Sequence, residues 1–453
     1  MNRAKLSSYF LITLFQIILL FSQSIAQEYD SKTFIYEKRV ALSQQFKKEI
    51  IKITEGVFVA VGYGASNSVL IEGADSLIIV DTMLGTEAAE NVLAAFRNIT
   101  GKPIKALIFT HSHSDHTGGA SVFARETNPI IYGRSGNKDT LAGYEKLGDI
   151  MTKRARRQFG SDLQLEEKIA GIAPVYRPMG GRGEGKLKPN HIINDERKRL
   201  RIAGINLEIV AAPGETDDHL YVWLPELKVL ICGDNYYYSF PNLYAIRGTR
   251  YRDISKWVDS LNKIIQEEAE YLISGHARPI KGRENVRKVL TDYRDAMNFV
   301  LNETLKGMNR GMTVDELAHY VKLPESLASK DDLQEFYGVI EWAVRSIYSG
   351  YLGWFDGNPT SLFPLSPIEE ARRIVKLVGS KEKLIKKVKE AITSKDYQWA
   401  CQLADYVIAL EPGSKEINLI KAEALIALAD KQMSSNARHY YLSVAKELKE
   451  KFK

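Results

Sequence analysis

Hydrophobic residues in the first third of the chain form short runs separated by turn residues. Three of these runs, Phe58–Val61, Ser68–Gly73 and Leu77–Asp81, are rich in β-branched residues, which is typical of buried strands. Residues Glu87–Arg97 instead carry apolar side chains at helical spacing. Another apolar run, Ala106–Phe109, follows. The order of strands, helix and strand predicts the first half of an α/β domain.

The strand pattern returns after residue 200, and a helical pattern replaces it after residue 285. The later predicted strands are Leu207–Ala212, Tyr221–Leu224, Lys228–Asp234 and Tyr271–His276. The predicted amphipathic helices are Val286–Gly307, Asp331–Tyr351, Pro367–Val378, Lys381–Thr393, Tyr397–Leu410, Lys415–Ala429 and Asn436–Leu448. The last pairs resemble tetratricopeptide-like hairpins. We therefore expect an α/β domain over residues 27–285 and an all-α domain over residues 286–453.

The N-terminus, Met1–Ala26, has a basic start, an apolar stretch from Tyr9 to Phe21 and small residues at its end. This pattern predicts a signal peptide that is cleaved after Ala26, and hence a periplasmic or secreted protein with no stable membrane anchor after cleavage. An uncleaved anchor is the alternative, but the apolar stretch is shorter than the roughly 20 residues of a membrane span. Because Cys232 and Cys401 are the only cysteines, we expect no disulfide framework.

Composition and charge narrow the class of protein. The chain has 453 residues, of which 45% are hydrophobic and 26% charged, as in ordinary globular proteins with ample core. Its net charge is +6 and falls to +4 without Arg3 and Lys5 of the predicted signal peptide. This mild surplus does not indicate a nucleic-acid partner, which would require a concentrated basic face. The basic cluster Lys153–Arg157 is interpreted as a solvated helix face, with anion steering as the alternative.

The segment His111–His116 carries the most specific chemistry in the sequence. Four potential metal ligands, His111, His113, Asp115 and His116, follow the predicted strand Ala106–Phe109. Imidazole and carboxylate groups are common ligands of zinc, and a protein metal site usually takes three or four of them. Four ligands on so short a loop are too many for one closed tetrahedral site. A two-metal centre is therefore favoured over a polar surface loop with chance histidines.

The segment Thr110–His116 resembles the Thr-His-x-His-x-Asp-His motif of the metallo-β-lactamase superfamily. The turn Pro213–His219, the hairpin ending in Asp234 and the strand ending in His276 resemble later motifs of the same superfamily. The resemblance implies an αββα sandwich that binds two zinc ions per chain. It implies that His111, His113 and His219 hold one ion, that Asp115, His116 and His276 hold the other, and that Asp234 bridges them.

The remaining candidate ligands receive structural roles. Asp81 matches an acidic position near the metals in the superfamily, and we expect it to support the ligands and not to bind metal. Cys232 lies within a predicted strand, where a buried packing role is favoured over redox chemistry or ligation. The other three histidines lack partners at ligand spacing and are expected to be surface or packing residues; they are His191, His319 and His439.

Four further segments resemble the alkylsulfatase branch of the superfamily. They are Asn242–Gly248, Asp292–Ala296, Tyr337–Gly338 and Tyr348–Pro359. The resemblance implies that the helical domain makes a homodimer and that the substrate is a small sulfate ester. Asp115 and Arg247 are the implied catalytic residues. The guanidinium of Arg247 suits a sulfate group, although it could instead pair with a surface carboxylate, and Asn242, Tyr244 and Tyr351 are weaker candidates for the pocket wall.

Three departures leave the substrate open. Alkylsulfatases carry glutamates where this chain has His219 and Asp234, and Trp342 stands where a histidine that protonates the leaving group is expected. The C-terminal sterol-carrier-like domain of the family would follow Lys453, where the sequence ends. The leading hypothesis is a two-metal hydrolase of alkyl or aryl sulfate esters, in which the metals activate water. The alternatives are a hydrolase of a lactone, phosphodiester or β-lactam, and a non-catalytic periplasmic binding or scaffold protein.

Overall fold

A computed structural model describes residues 33–136, 147–178 and 180–453 of the chain. The predicted signal peptide lies outside these residues. Helix α1 covers residues 33–44, and the described strands form a seven-stranded and a six-stranded sheet. The strands are β1 Glu49–Thr54, β2 Val57–Val61, β3 Ser68–Glu72, β4 Leu77–Val80, β5 Ile104–Ile108, β6 Ile130–Gly133, β7 His191–Ile192, β8 Arg197–Ile202, β9 Ile205–Ala211, β10 Leu220–Leu224, β11 Val229–Gly233, β12 Tyr271–Ser274 and β13 Ile280–Lys281.

The seven-stranded sheet follows the chain order from β1 to β7. Strands β1 to β4 form an antiparallel meander, and β4, β5, β6 and β7 pair in parallel. Helix α2, Thr86–Arg97, provides the crossover that parallel pairing of β4 and β5 requires. Because Val80 is paired with Ile108, the residues that follow these two strands leave the sheet at the same edge.

The six-stranded sheet has the order β13, β12, β11, β10, β9, β8. Strands β8 to β11 are antiparallel neighbours, whereas β11 and β12 pair in parallel. In that parallel pair, Gly233 is opposite Ser274, so Asp234 and His276 leave the sheet side by side. The residues that follow the strand ends of the two sheets are the ones on which the sequence predicts metal ligands.

Four layers, in the order helix, sheet, sheet, helix, enclose three hydrophobic cores, one of which continues into the helical domain. The inner faces of the sheets pack together through residues such as Val59, Ile78, Ile209 and Ile231. The outer face of the first sheet is covered by α2 and the short helix α4, Ala120–Ala124. The second sheet is covered by two long helices, α6 Ile254–Gln266 and α7 Arg283–Asn309. The predicted αββα sandwich is confirmed.

The C-terminal part of the chain is helical, as predicted. Its helices are α8 Val314–Tyr320, α9 Glu325–Ala328, α10 Ile340–Leu352, α11 Pro367–Val378, α12 Lys381–Thr393, α13 Tyr397–Leu410, α14 Lys415–Asp430 and α15 Ser435–Glu450. Helices α11 to α15 share a core of their own. The boundary at residue 285 stays a prediction, and it falls two residues inside α7.

The helix predictions were incomplete in two respects. The helix predicted over Asp331–Tyr351 is a short 3₁₀ turn followed by α10, because the residues between them contact the α/β domain. The backbone N–H of Phe240 donates to the carbonyl of Gln334 at 2.9 Å, and the backbone N–H of Tyr337 donates to Ser239 Oγ at 3.0 Å. Helix α6 and helix α8, which begins with a capping box at Thr313, were not predicted.

Several contacts join the two domains. Leu42 and Phe46, in and just after α1, are buried against Ala277 and Phe336. Helix α5, Gly148–Gln158, packs against α15, where Arg157 forms an ion pair with Glu447. The basic cluster Lys153–Arg157 is therefore not simply a solvated face, since part of it holds the domains together.

The helices in the described part of the chain are all too short or too polar to cross a membrane.

Candidate metal centre

The loop after β5 and the short helix α3, Ser114–Thr117, carry the first four candidate ligands. His111 and His113 lie on the loop, and Asp115 and His116 lie on α3. The helix is held against the segment after β4, where Thr82 N–H donates to the carbonyl of His116 at 2.7 Å. Gly118 makes this approach possible, since a Cβ there would lie 1.9 Å from the carbonyl oxygen of Leu84.

His111, His113 and Asp234 form the first group of potential metal ligands, with ligand atoms within 4.8 Å of one another. His111 Nε2 lies 3.0 Å from His113 Nδ1 and 3.8 Å from Asp234 Oδ2. His111 and Asp234 are buried, and His113 is partly buried. The three residues come from the ends of strands in both sheets.

Asp115, His116 and His276 form the second group, whose ligand atoms also lie within 4.8 Å of one another. Asp115 Oδ2 lies 3.6 Å from Nε2 of each histidine. Asp234 Oδ1 lies 3.4 Å from His116 Nε2 and 3.3 Å from His276 Nε2. Asp234 therefore faces both groups, which is the arrangement that a bridging ligand requires.

Asp81 supports this arrangement from behind. Its carboxylate accepts hydrogen bonds from the backbone N–H and the hydroxyl of Thr110, both at 2.8 Å, and its Oδ2 lies 2.7 Å from His116 Nδ1. These contacts orient Nε2 of His116 toward the second group. On the opposite side, His276 Nδ1 lies 2.8 Å from the carbonyl oxygen of Ala65. The geometry agrees with the expected supporting role of Asp81.

The charges at the centre favour a cation. Burial, followed by the nearby charge of Arg247, lowers the pKa of His113 to about 3, so this imidazole is neutral at neutral pH. Burial opposes the ionisation of Asp234, but the charges of His276 and His116 outweigh it and keep the pKa of that carboxyl well below its usual value.

Potential ligand atoms without hydrogen-bond partners also fit the binding of metal ions. Among the described residues, the buried atoms His116 Nε2 and Asp234 Oδ1 have no hydrogen-bond partner. Imidazoles and ionised carboxylates that converge in this way are suitable ligands for divalent cations.

His219, the remaining predicted ligand, belongs to neither group. Its ring stacks on that of His111 with centroids 4.6 Å apart, and its Nε2 accepts the backbone N–H of Asp234 at 3.0 Å. Its Nδ1 is buried and has no hydrogen-bond partner in the described part of the chain. Ligation by His219 therefore stays a prediction.

Glu215 is a candidate that the sequence reasoning missed. Its carboxyl is buried, pairs with Arg252 through one oxygen and leaves Oε2 without a hydrogen-bond partner among the described residues. Burial is the main cause that raises its pKa to about 7, and the carboxylate of Asp234 adds to the increase. Two neighbouring buried carboxylates are stable only with a shared proton or a cation. Glu215 precedes the predicted ligand by four residues on the same turn, which is the only sequence signal for it.

Arg247 and Asn242 lie on the loop after Asp234, and the charge of Arg247 is close enough to His113 to lower its pKa. The backbone N–H of Arg247 donates to Gln158 Oε1 at 2.8 Å, and its guanidinium lies over the ring of Phe159, 5.7 Å from the centroid. Asn242 is fully buried, and neither polar atom of its side-chain amide has a hydrogen-bond partner within the described residues. A charged group and a free amide next to the centre form a suitable anion site.

The two tyrosines predicted for the pocket wall, Tyr244 and Tyr351, are less buried than Asn242. Tyr244 is partly buried on the same loop. Tyr351 is half exposed and packs edge-on against Tyr251, with ring centroids 6.0 Å apart.

The residues expected to have structural roles are placed accordingly. Cys232 and Cys401 are both buried thiols. His439 is buried, and its Nε2 accepts the backbone N–H of Ile169 at 3.0 Å. His191 is exposed beside the ring of Tyr132, and the side chain of His319 is 78% exposed.

Two family models match the chain. The metallo-beta-lactamase superfamily model matches residues 61–276, and the alkyl sulfatase dimerisation model matches residues 313–451. The first match contains all the candidate metal ligands, and the second contains the helices α8 to α15 in full.

Known proteins resemble both domains together. A linear primary-alkylsulfatase of Pseudomonas sp. is 36% identical over 396 residues, which are 84% of this chain and 74% of that protein. An alkyl/aryl-sulfatase of Saccharomyces cerevisiae is 28% identical over 88% of this chain and 64% of its own length. The solved structure of the stereoselective inverting sec-alkylsulfatase Pisa1 from Pseudomonas sp. superposes with a TM-score of 0.79 at 28% identity, over 90% of this chain and 66% of that one. The chain thus spans slightly less than two thirds of the last two proteins.

Proposed function

The chain belongs to the alkylsulfatase family of the metallo-β-lactamase superfamily, and on that premise we propose that it hydrolyses sulfate esters with two divalent metal ions, most suitably zinc. The observation that carries the proposal is a centre of two ligand groups that Asp234 joins, with the charge of Arg247 close enough to His113 to lower its pKa. A centre of this kind serves many hydrolytic reactions, so the neighbouring anion site decides the substrate class.

The ligand assignment follows the geometry. His111 and His113 would hold one cation, and Asp115, His116 and His276 would hold the other, with Asp234 between them. His219 or Glu215 would complete the first site. When bound, two such cations lower the pKa of water and neutralise the negative charge that develops on the ester.

The protein's own residues bind and orient the ester. The guanidinium of Arg247 can donate two parallel hydrogen bonds to sulfate oxygens, and the amide of Asn242 can donate a third. Asn242 is fixed by its backbone, because its N–H donates to the hydroxyl of Tyr237 and its carbonyl accepts from Arg252. Arg252 is also paired with Glu215, so one buried ion pair positions both the anion site and the metal-facing carboxyl.

We also propose a homodimer and export across a membrane. Support for the homodimer comes from the match to the dimerisation model and from exposed apolar side chains within it, such as Trp354, at 74% exposure, and Phe363, at 93%. Exposed apolar surface on a monomer often marks an interaction surface. The support for export is the signal-peptide pattern of Met1–Ala26 alone.

A substrate panel tests the proposed reaction. The purified mature protein would be assayed with short and long alkyl sulfates, an aryl sulfate, a lactone, a phosphodiester and a β-lactam. We expect release of inorganic sulfate and little turnover of the uncharged lactone. Turnover of the lactone, phosphodiester or β-lactam without sulfate release would overturn the sulfatase assignment.

A further inference from the structure

A cavity of about 690 Å³ lies between the two domains, apart from the candidate metal ligands. The α/β domain contributes Arg154 of α5 and Ile246, and the helical domain contributes the rest of the lining. Its size is within the range of about 300–1,000 Å³ that is usual for small-molecule sites. Trp342, which replaces the histidine expected near the leaving group, is one of the lining residues.

The lining combines aromatic rings with fixed charges. The rings belong to Trp342, Tyr440 and Tyr441, and the four charged residues are Arg154, Lys322, Glu335 and Glu341. Two acids and two bases leave no net charge, so the lining does not select an ion. It offers instead flat apolar surfaces beside hydrogen-bond donors and acceptors.

The charged groups are held in place by the protein. Arg154 donates from Nε and Nη2 to the carbonyl of Ile246 at 3.2 and 2.7 Å, and Glu335 Oε1 accepts the backbone N–H of Ile340 at 2.6 Å. Lys322 Nζ lies 3.5 Å from Glu341 Oε1. A linear alkyl chain in this cavity would shield these groups from water and offer them no hydrogen bonds in return, which costs free energy. The hydroxyls of a sugar-like ring could donate to the carboxylates and accept from the cations, while its face stacks on an aromatic ring.

Two short stretches of chain link the cavity lining to the candidate anion site. Ile246 directly precedes Arg247, and Val339 follows Tyr337 by two residues. Tyr337 is buried with its ring edge-on to Tyr237, at a centroid distance of 6.2 Å, and the ring of Tyr237 is in turn edge-on to that of His276. A sulfate ester bound at Arg247 can therefore extend its alcohol part toward this lining.

We propose that the cavity binds the alcohol part of the ester and that this alcohol is a hydroxylated ring, as in a monosaccharide sulfate. The proposal rests on the proposed sulfatase function and specifies its substrate class. Trp342 is then a positioning residue that stacks on the ring.

Steady-state kinetics with glucose 6-sulfate, hexyl sulfate and 4-nitrophenyl sulfate test this. We expect the native protein to favour glucose 6-sulfate over hexyl sulfate by about tenfold or more in kcat/KM. Trp342→Ala should lower kcat/KM for glucose 6-sulfate by about tenfold, as expected for a lost aromatic contact, and should leave hexyl sulfate nearly unchanged. Glu341→Gln, at a partly exposed position where the substitution should not disturb folding, should lower kcat/KM for glucose 6-sulfate by a smaller factor and should also leave hexyl sulfate nearly unchanged. Trp399→Ala, on α13, is the matched control.

Three outcomes are decisive. Selective loss of glucose 6-sulfate turnover in both cavity variants supports the proposal. A native preference for hexyl or 4-nitrophenyl sulfate, or an equal loss for all three esters, overturns it and leaves the sulfatase assignment intact. If no ester releases sulfate, the proposed function itself fails, and this proposal fails with it.

Discussion

The carboxylate of Asp81 lies 2.7 Å from Nδ1 of His116 and so fixes the orientation of a candidate ligand that it does not replace. Partners of this kind typically contribute about 10- to 100-fold to metal affinity. We therefore expect Asp81→Asn to weaken metal binding by about that factor, which competition with a chromophoric chelator would measure. Asp75→Asn, at a carboxylate far from the ligands, is the control. Unchanged affinity in the Asp81 variant would show that the contact does not support binding.

Glu215 and His219 can be distinguished as ligands. Both residues leave one buried ligand atom without a hydrogen-bond partner among the described residues, Oε2 of Glu215 and Nδ1 of His219. Because Glu215 adds a second carboxylate beside Asp234, whereas the other nitrogen of His219 is already occupied by a backbone N–H, we expect Glu215→Gln to lose more metal than His219→Gln. Elemental analysis after gel filtration measures this, with circular dichroism to confirm folding. The reverse order would support His219 as the ligand, as the sequence motif implies.

Arg247 should select for anionic substrates. Hydrogen bonds to charged groups contribute about 1.5–3 kcal/mol each, so Arg247→Ala should lower kcat/KM for sulfate esters by about 10- to 100-fold or more. Turnover of an uncharged ester such as a lactone, if measurable, should change much less. Arg310→Ala, at an exposed position after α7, is the control. Equal losses on both kinds of ester would mean that Arg247 has a structural role.

His439 should make folding stability depend on pH. Burial is the main cause that lowers its pKa to about 3, with Arg177 adding to the effect, whereas an unfolded histidine has a pKa of about 6.5. Between these values the unfolded state binds the proton and the folded state does not, so stability falls as the pH drops from about 6.5 toward 3. Urea unfolding at pH 7 and pH 5 should show a smaller loss for His439→Gln than for the native protein. Equal losses would contradict this role.

The exposed apolar side chains of Trp354 and Phe363 should lie in the dimer interface. If a second copy covers Trp354 and Phe363, then Trp354→Ser combined with Phe363→Ser should convert a dimer to a monomer in light scattering after gel filtration. Ile192→Ser, an exposed apolar residue of β7 in the other domain, should leave the dimer intact. A dimer that survives the double substitution would place the interface elsewhere.

The sequence predicted the parts of this molecule that depend on local pattern. Among the described strands, the alternation of apolar runs and turns located β2 to β5 and β9 to β12 but not β1, β6, β7, β8 or β13. The candidate ligands could be recognised because they follow predicted strands, directly or on the short segment His111–His116; they are His111, His113, Asp115, His116, Asp234 and His276. The convergence of these residues follows from the parallel pairing of β4 with β5 and of β11 with β12, which places the strand ends at common edges.

The features that were not predicted depend on contacts between distant segments. Apart from its place four residues before His219, Glu215 is distinguished by its burial beside Asp234 and Arg252, which the sequence does not show. The segment between the 3₁₀ turn at Asp331 and helix α10 contacts Ser239 and Phe240 and so does not continue a helix, although its local pattern allows one. Likewise, the interdomain cavity joins residues of α5, the loop after β11 and the helical domain, which no local pattern brings together.

Metal content and sulfate release, measured together in the purified mature protein before and after chelation, test the two-metal sulfatase assignment most directly. We expect about two divalent ions per chain, sulfate release that disappears on chelation, and recovery of both when zinc is restored. Full sulfate release by a metal-free protein would contradict the two-metal assignment. Two bound ions with turnover of non-sulfate esters alone would contradict the sulfatase assignment.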